Sequence, residues 1–277
     1  MLIDAHNHLQ DEWLEPHLAE IVAMLGGVGL SRAVVNGTQE SDWPAVAALA
    51  RKHAWVLPSY GLHPWFAASR TPEWREKLAA LLAEAITQGQ AAAVGEIGLD
   101  RWKKPFDFAD QQEVFLSQLE LAAERNLPAT IHCLEAWGPL ETLLRTHPLP
   151  ARGFLVHAYG GSAEMAETLA GLGAYFSFSG YFLHERKTAR REVFRRLPLD
   201  RLLVETDAPG MPLPEARNRF PLPPSPEGQP VNHPGNIQAI YEALAELRGL
   251  PVETLAAHVA ANFSRLFGPG ALTGRGA

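Results

Sequence analysis

The stretch Leu2-Ile3-Asp4-Ala5-His6-Asn7-His8 opens the chain with an apolar run that ends in a His-x-His pair. Alternate residues of a strand share a face, so His6 and His8 point the same way, and two imidazoles on one face can grip a divalent metal. Taken alone, such a pair fits two polar residues leaving a strand equally well. Repetition decides the reading: run after run of apolar residues in this chain ends in His, Glu or Asp.

Eight short β-rich runs are legible, at residues 2–6, 32–37, 55–61, 92–97, 128–133, 153–157, 174–179 and 201–207. Segments with helical spacing lie between them, among them 74–88, 109–126, 163–172 and 185–197, and Gly or Pro punctuates many joints. Near-continuous apolar strands alternating with helices predict a parallel sheet covered by helices. Eight such units in 277 residues predict an α/β fold of the closed (β/α)8 TIM-barrel type, a single domain over residues 1–267. An open doubly wound sheet would carry a glycine-rich phosphate turn after its first strand, and the sequence has none there. The proline-rich segment 208–234 is too long for an ordinary turn and is expected over the barrel mouth. Two helices, 236–249 and 252–267, close the chain, and the tail 268–277 is expected to be loose.

Composition narrows the function. Hydrophobic residues make up 47% of the chain, enough for a large core, and the net charge of −7 gives no global bias toward nucleic acid, so such binding would need a local patch. One cysteine, Cys133, excludes an internal disulfide and suits a reducing compartment. No apolar stretch has membrane-spanning length, and the first residues lack the basic region and long apolar core of a signal peptide. A cytoplasmic protein with no membrane attachment is the expectation.

The strand ends carry the chemistry. The first ends in His6-x-His8, the third in Gly61-Leu62-His63-Pro64, and the fourth in Gly95-Glu96-Ile97-Gly98-Leu99-Asp100. The fifth ends in Ile131-His132, the sixth in Val156-His157 and the eighth in Glu205-Thr206-Asp207-Ala208-Pro209. In a (β/α)8 barrel these carboxyl ends converge on one face. His6, His8, His132 and His157 with the carboxylates of Glu96 and Asp207 can hold two divalent ions, and a glutamate between them can bridge. Imidazole and carboxylate suit zinc, manganese and, less selectively, magnesium. Asp4 shares the face of His6 and reads as a buried group orienting a ligand. His53, His147, His184, His233 and His258 read as ordinary polar residues.

In this order the motifs resemble the TatD family of metal-dependent hydrolases, within the amidohydrolase-like barrels. The similarity spans Ile3 to Phe267 and includes the close Asn262-Phe263-Ser264-Arg265-Leu266-Phe267-Gly268. It implies that His6, His8, Glu96 and Asp207 hold one ion, and that Glu96, His132 and His157 hold the second. It places His63 beside the pair, in contact with substrate. Family members described as deoxyribonucleases hydrolyse phosphodiester bonds, often from a 3′ end, using magnesium or manganese. Cys133-Leu134 stands where the family often has a polar-basic pair, and Gly210-Met211-Pro212 departs from its usual loop. Both departures touch substrate recognition and leave the ligand set intact. No lysine stands at a strand end to bridge two metals as a carbamate, so Glu96 takes that place.

The mechanism this implies makes Asp207 the proton acceptor for an attacking water, with His63 binding phosphate or protonating the leaving oxygen. Trp13, Trp43, Trp65, Trp102 and Trp137 all follow strands, and Trp65, just past His63, is the best candidate to stack on a base. Arg186 and Lys187 follow the seventh strand and are placed to meet phosphates, while Arg217 and Arg219 in the long loop face substrate or water. The leading expectation is a metal-dependent phosphodiesterase acting on single-stranded DNA ends as a monomer or weak homo-oligomer. A hydrolase of C–N or ester bonds in a small molecule would use the same binuclear site. A binding protein with a decayed site is opposed by the full ligand set.

Overall fold

Parallel strand pairing runs in one unbroken order through β1 (Leu2–Asn7), β2 (Leu30–Asn36), β3 (Val56–Tyr60), β4 (Ala93–Asp100), β5 (Ala129–Leu134), β6 (Phe154–Val156), β7 (Ala174–Ser179) and β8 (Leu202–Glu205) in the computed structural model, which describes residues 1–273. The end of β8 returns to β1, where the Asp207 amide donates to the His6 carbonyl (2.9 Å) and the His8 amide to the Ala208 carbonyl (2.8 Å). Lower on the seam, the Tyr241 hydroxyl serves both the amide and the carbonyl of Ile3. The molecule is thus the expected single-domain TIM barrel.

Helices wrap the outside: α1 (Leu18–Gly27), α2 (Trp43–Lys52), α3 (Trp74–Thr87), α4 (Phe108–Glu124), α5 (Trp137–Thr146), α6 (Ala163–Gly171), α7 (Thr188–Arg196), α8 (Ile237–Arg248) and α9 (Val252–Phe267). Their starts follow local chemistry. The Asp107 carboxylate accepts from the amides of Ala109 and Asp110 to cap α4, and the Ser162 hydroxyl caps α6 through Met165. Apolar faces such as Leu78 and Leu82 of α3, Phe115 and Leu119 of α4 and Phe263 of α9 are fully buried.

Three local readings shift. Arg186 and Lys187 lie in a 3-10 turn, Glu185–Lys187, ahead of α7 rather than inside a helix begun at 185. The 208–234 segment is irregular apart from a 3-10 turn at Glu215–Arg217, and α8 holds its middle: Arg219 pairs with Glu242 (2.5 Å) and Arg217 with Glu246 (3.7 Å). These arginines are therefore tied to the scaffold, with about half of each side chain still exposed. Of the tail expected to be loose, Gly270–Thr273 forms a helical turn with Ala271 buried and its carbonyl taken by Arg32; residues 274–277 lie outside the described residues.

The upper barrel interior is polar and cross-linked. The Ser59 hydroxyl donates to the Gly95 carbonyl (3.0 Å), and that of Thr130 to Asn36 Oδ1 (2.6 Å). Glycine is required in β4, where a Cβ on Gly95 would come within 1.8 Å of Thr130 Oγ1. A Cβ on Gly98, at φ +151°, would come within 2.0 Å of the His132 carbonyl oxygen. The β4–β5 register slips between Val94 and Ile97, a bulge that spans Glu96.

Candidate metal centre and active site

Glu96 is 2% exposed and sits at the centre of five imidazoles. Its Oε2 lies 3.4 Å from His6 Nε2 and 3.2 Å from His8 Nε2. Its Oε1 lies 2.8 Å from His157 Nε2, 3.1 Å from His132 Nδ1 and 3.4 Å from His63 Nε2. Asp207, in a left-handed backbone conformation just past β8, brings Oδ1 to 3.5 Å from His6 Nε2 and 3.4 Å from His8 Nε2. All six residues read as ligands from the sequence, and His63, are brought to one place.

Two donor clusters result. In the first, His6 and His8 Nε2 are 3.3 Å apart and face both Glu96 Oε2 and Asp207 Oδ1. In the second, His132 Nδ1 and His157 Nε2 are 3.2 Å apart and face Glu96 Oε1. Donors about 2.1 Å from a common ion stand about 3.0–3.4 Å from one another in octahedral or tetrahedral array, so both clusters have the spacing a divalent ion needs. Lone pairs converging in a buried space, with no lysine or arginine paired to them among the described residues, also fit that need.

Ring orientation distinguishes the histidines. An imidazole that donates from its outer nitrogen leaves a lone pair on the inner one. His8 Nδ1 contacts the Asn36 carbonyl (2.8 Å), and His132 Nε2 contacts Asp100 Oδ2 (2.9 Å), so both outer nitrogens face pure acceptors. His63 is the reverse: its Nδ1 accepts from the Trp65 amide (3.1 Å), so its neutral form carries the proton on Nε2, facing inward. Burial, reinforced by His132 and only partly offset by Glu96, pushes the His63 imidazole down to about 4. It is therefore a neutral N–H donor near pH 7.

Electrostatics hold the carboxylates charged. Burial works against the Glu96 anion, but His157, His63 and His6 outweigh it and keep the group well below the usual carboxylate range. Burial likewise opposes the charge on Asp207, and the His8 contact with the fields of His157 and His6 prevails, lowering it. For His8, burial favours the neutral ring, yet Asp207 and Glu96 raise it well above the ordinary value. Asp100 is drawn down to about 2, with burial outweighed by His132 and the Lys103 amide.

Known proteins share this sequence and fold. The model of the family described as TatD related DNase matches residues 3–268. The chain belongs to the TatD family. A metal-dependent hydrolase of Bacillus subtilis, YabD, is 32% identical over 272 residues, covering 96% of this chain and 99% of the relative. The protein of Erwinia amylovora named 3'-5' ssDNA/RNA exonuclease TatD is 34% identical, covering 90% and 93%. The crystal structure of YjjV, a TatD homologue from Escherichia coli, superposes with a TM-score of 0.85 at 31% identity, covering 96% and 97%. The chain is accordingly a hydrolytic enzyme of a metal-dependent family. No helix among the described residues is long and apolar enough to cross a membrane.

The remaining sequence candidates separate. Trp65 is 40% exposed, its Nε1–H donates to Asp100 Oδ2 (2.8 Å), and Lys103 Nζ lies 4.1 Å over its ring. Trp43 is 2% exposed and spends its Nε1–H on the Gly61 carbonyl, so it is core. Trp13 and Trp137 are partly buried and pack against the core, while Trp102 is 59% exposed in the β4–α4 loop. Arg186 and Lys187 gather on Tyr181, with Arg186 Nη2 2.5 Å from its hydroxyl and Lys187 Nζ 4.7 Å over its ring. Asp4 does not touch a ring: it accepts from the amides of His6 and Thr206, the Thr206 hydroxyl and Asn7 Nδ2, tying β1 to the end of β8. Burial, opposed by these bonds, raises it to about 7. Asp4 thus meets His6 through the backbone amide, whereas Asp100 contacts the ring of His132. Asp100 was visible as the close of the Glu96 motif, but its partner was not.

Proposed function

We propose that this chain hydrolyses phosphodiester bonds at the ends of single-stranded nucleic acid, DNA 3′ ends foremost, with two divalent ions held across Glu96. The observation that carries this reading is that each Glu96 oxygen faces a separate donor cluster. His6, His8, Glu96 and Asp207 would hold one ion; Glu96, His132 and His157 the other. Magnesium, manganese and zinc all suit this donor set. When bound, the ions stabilise growing negative charge and make water more acidic.

The side chains do the rest. Asp207, ionised near neutrality, accepts the proton of the attacking water. His63 presents its Nε2–H to a phosphate oxygen. Trp65, 40% exposed with the Lys103 cation over its ring, joins an aromatic surface to a positive charge, a pairing that suits a base and its phosphate. Arg186 and Lys187, on the turn after β7, serve as outer phosphate contacts. The name of the Erwinia relative supports nucleic acid as substrate. The enzyme in this reading works as a monomer or weak homo-oligomer.

The test is hydrolysis of end-labelled single-stranded DNA by EDTA-stripped protein reloaded with magnesium, manganese or zinc, beside His6→Ala and Asp207→Asn. Metal-dependent shortening from the 3′ end by the wild type alone is expected. Absence of cleavage by ion-loaded protein would refute the nuclease reading and direct the search to small-molecule esters and amides.

A further inference from the structure

Four imidazoles face the two donor clusters with a nitrogen that needs a lone pair, and the outer nitrogens of two of them have visible acceptors, the Asn36 carbonyl and Asp100. The other two are His6 and His157. Their outer Nδ1 atoms are buried without a partner, and so is one oxygen of a fully buried carboxylate, Glu205 Oε1. Buried polar groups in folded proteins are almost always paired, so three such atoms in one place call for a common account.

The geometry places them together. The rings of His6 and His157 stack at 4.0 Å with an interplanar angle of 7°. Each turns its Nε2 toward a different oxygen of Glu96. A ring nitrogen of each and a carboxylate oxygen of Glu205 lie within 4.8 Å of one another, and His157 Nδ1 is 3.7 Å from Glu205 Oε1. The other oxygen, Oε2, is held by the Ser177 hydroxyl. Ser177 Oγ in turn accepts from the Ala158 amide (3.3 Å), so its single proton goes to Glu205.

We infer that Glu205 is a positioning residue shared by the two metal clusters: its Oε1 accepts from Nδ1–H of both His6 and His157, fixing both rings with a lone pair on Nε2. The donor count closes, since one carboxylate oxygen has two lone pairs for two N–H donors, with His157 the nearer and His6 within the same 4.8 Å group. The 3.7 Å separation becomes an ordinary hydrogen bond after a contraction of roughly 0.8 Å, or through one shared water. Glu205 then acts on the Nδ1 side of the stacked pair as Glu96 acts on the Nε2 side. One buried carboxylate would set the affinity of both clusters without touching an ion. Metal-bound histidines commonly depend on such an acceptor, and its loss costs about 10–100-fold in affinity. The inference rests on the two-ion reading for its metal arm and on the chain alone for its proton arm.

The test is Glu205→Gln, read by two-bond proton–nitrogen NMR of the histidine rings in metal-free protein, at a pH high enough that both rings are neutral, and by zinc titration. In the Glu205→Gln protein, Ser177 would hold the amide oxygen and the NH2 would face both Nδ1 atoms. The expected result is Nδ1–H on both rings in the wild type, a switch to Nε2–H on both in the variant, and zinc binding weakened about 10–100-fold at both steps. Wild-type rings protonated on Nε2, unchanged tautomers in the variant, or loss at one zinc step alone would overturn the inference. Correct tautomers in a wild type that binds fewer than two zinc ions would uphold it and overturn the two-ion reading instead. Should Glu205→Gln fail to fold, Ser177→Ala frees the carboxylate from its anchor. It is expected to keep Nδ1–H on both rings while weakening both zinc steps, and an effect confined to one step would again overturn the inference.

Discussion

Replacing Glu96 with Gln tests whether one side chain completes both clusters. Glutamine keeps the volume but offers one oxygen and an amide nitrogen with no free lone pair, so at least one cluster loses its carboxylate and both lose the negative charge. An ion bound only by the native state contributes about 2.7 kcal/mol at a free concentration 100 times its Kd. With an unfolding entropy near 2.1 cal/mol/K per residue, 277 residues give about 0.58 kcal/mol/K, so each ion raises the melting temperature by about 5 °C, and two by about 9 °C. A 100-fold loss of affinity at both clusters leaves about 0.4 kcal/mol per ion, or less than about 2 °C in all. The assay is calorimetry of EDTA-stripped protein at fixed free manganese or zinc, with metal counted after equilibrium dialysis. The Glu96→Gln protein should remain folded, bind at most one ion and lose most of the thermal shift. A variant holding two ions per chain with the full wild-type shift would refute the idea that Glu96 joins the clusters.

Three further outcomes follow from the geometry. Trp65→Ala should raise KM for single-stranded DNA about 5- to 150-fold, the equivalent of about 1–3 kcal/mol of stacking, while Trp65→Phe retains most affinity; equal losses on a small phosphodiester would count against stacking. Asp4→Asn turns an NH2 toward buried donors at the β1–β8 junction and should cost about 2–4 kcal/mol, seen as a lower denaturation midpoint; a change within about 0.5 kcal/mol would remove Asp4 from that role. His233, stacked on Phe220, accepts from the Gly235 amide, and burial with the nearby His17 lowers it to about 4. Its neutral form therefore stabilises the fold fully above the unfolded value near 6.5, and that contribution is lost as pH falls toward 4, because the unfolded chain binds the proton first. His233→Asn, which keeps a capping acceptor, should flatten the melting temperature of metal-free protein across that window, and identical slopes would exclude the effect.

How much of this was legible in the sequence depends on range. A parallel barrel brings the carboxyl ends of its strands to one rim, so residues ending apolar runs converge whatever their separation; His6, His8, Glu96, His132, His157 and Asp207 could be gathered on that rule alone. Period-two alternation likewise put His6 and His8 on one side, where their Nε2 atoms stand 3.3 Å apart. The rule gives a place and no partner. Trp43 follows a strand just as Trp65 does, but the Gly61 carbonyl draws its indole into the core, while Asp100 holds that of Trp65 at the surface. Arg217 and Arg219 sit in a loop with every sequence sign of reaching outward, and Glu246 and Glu242 on α8 take them.

The same distinction applies within single side chains. Position along a strand predicts that an imidazole reaches the rim, but which nitrogen carries the lone pair depends on what its far side meets. For His63 that contact is local, the amide two residues on, and it makes the ring a donor. For His8 it is a carbonyl on the neighbouring strand, and for His132 a carboxylate at the end of the strand beside it. These contacts make outwardly equivalent strand-end histidines chemically opposite, with a lone pair turned inward in one case and an N–H donor in the other. Asp100 and Glu205 read in sequence as charges closing two apolar strands, yet their reach to ring nitrogens follows from barrel curvature and strand register, which place β4 against β5 and β8 against β7. The residues that bind are thus written in strand periodicity, and the residues that decide how they bind are written in the packing between strands.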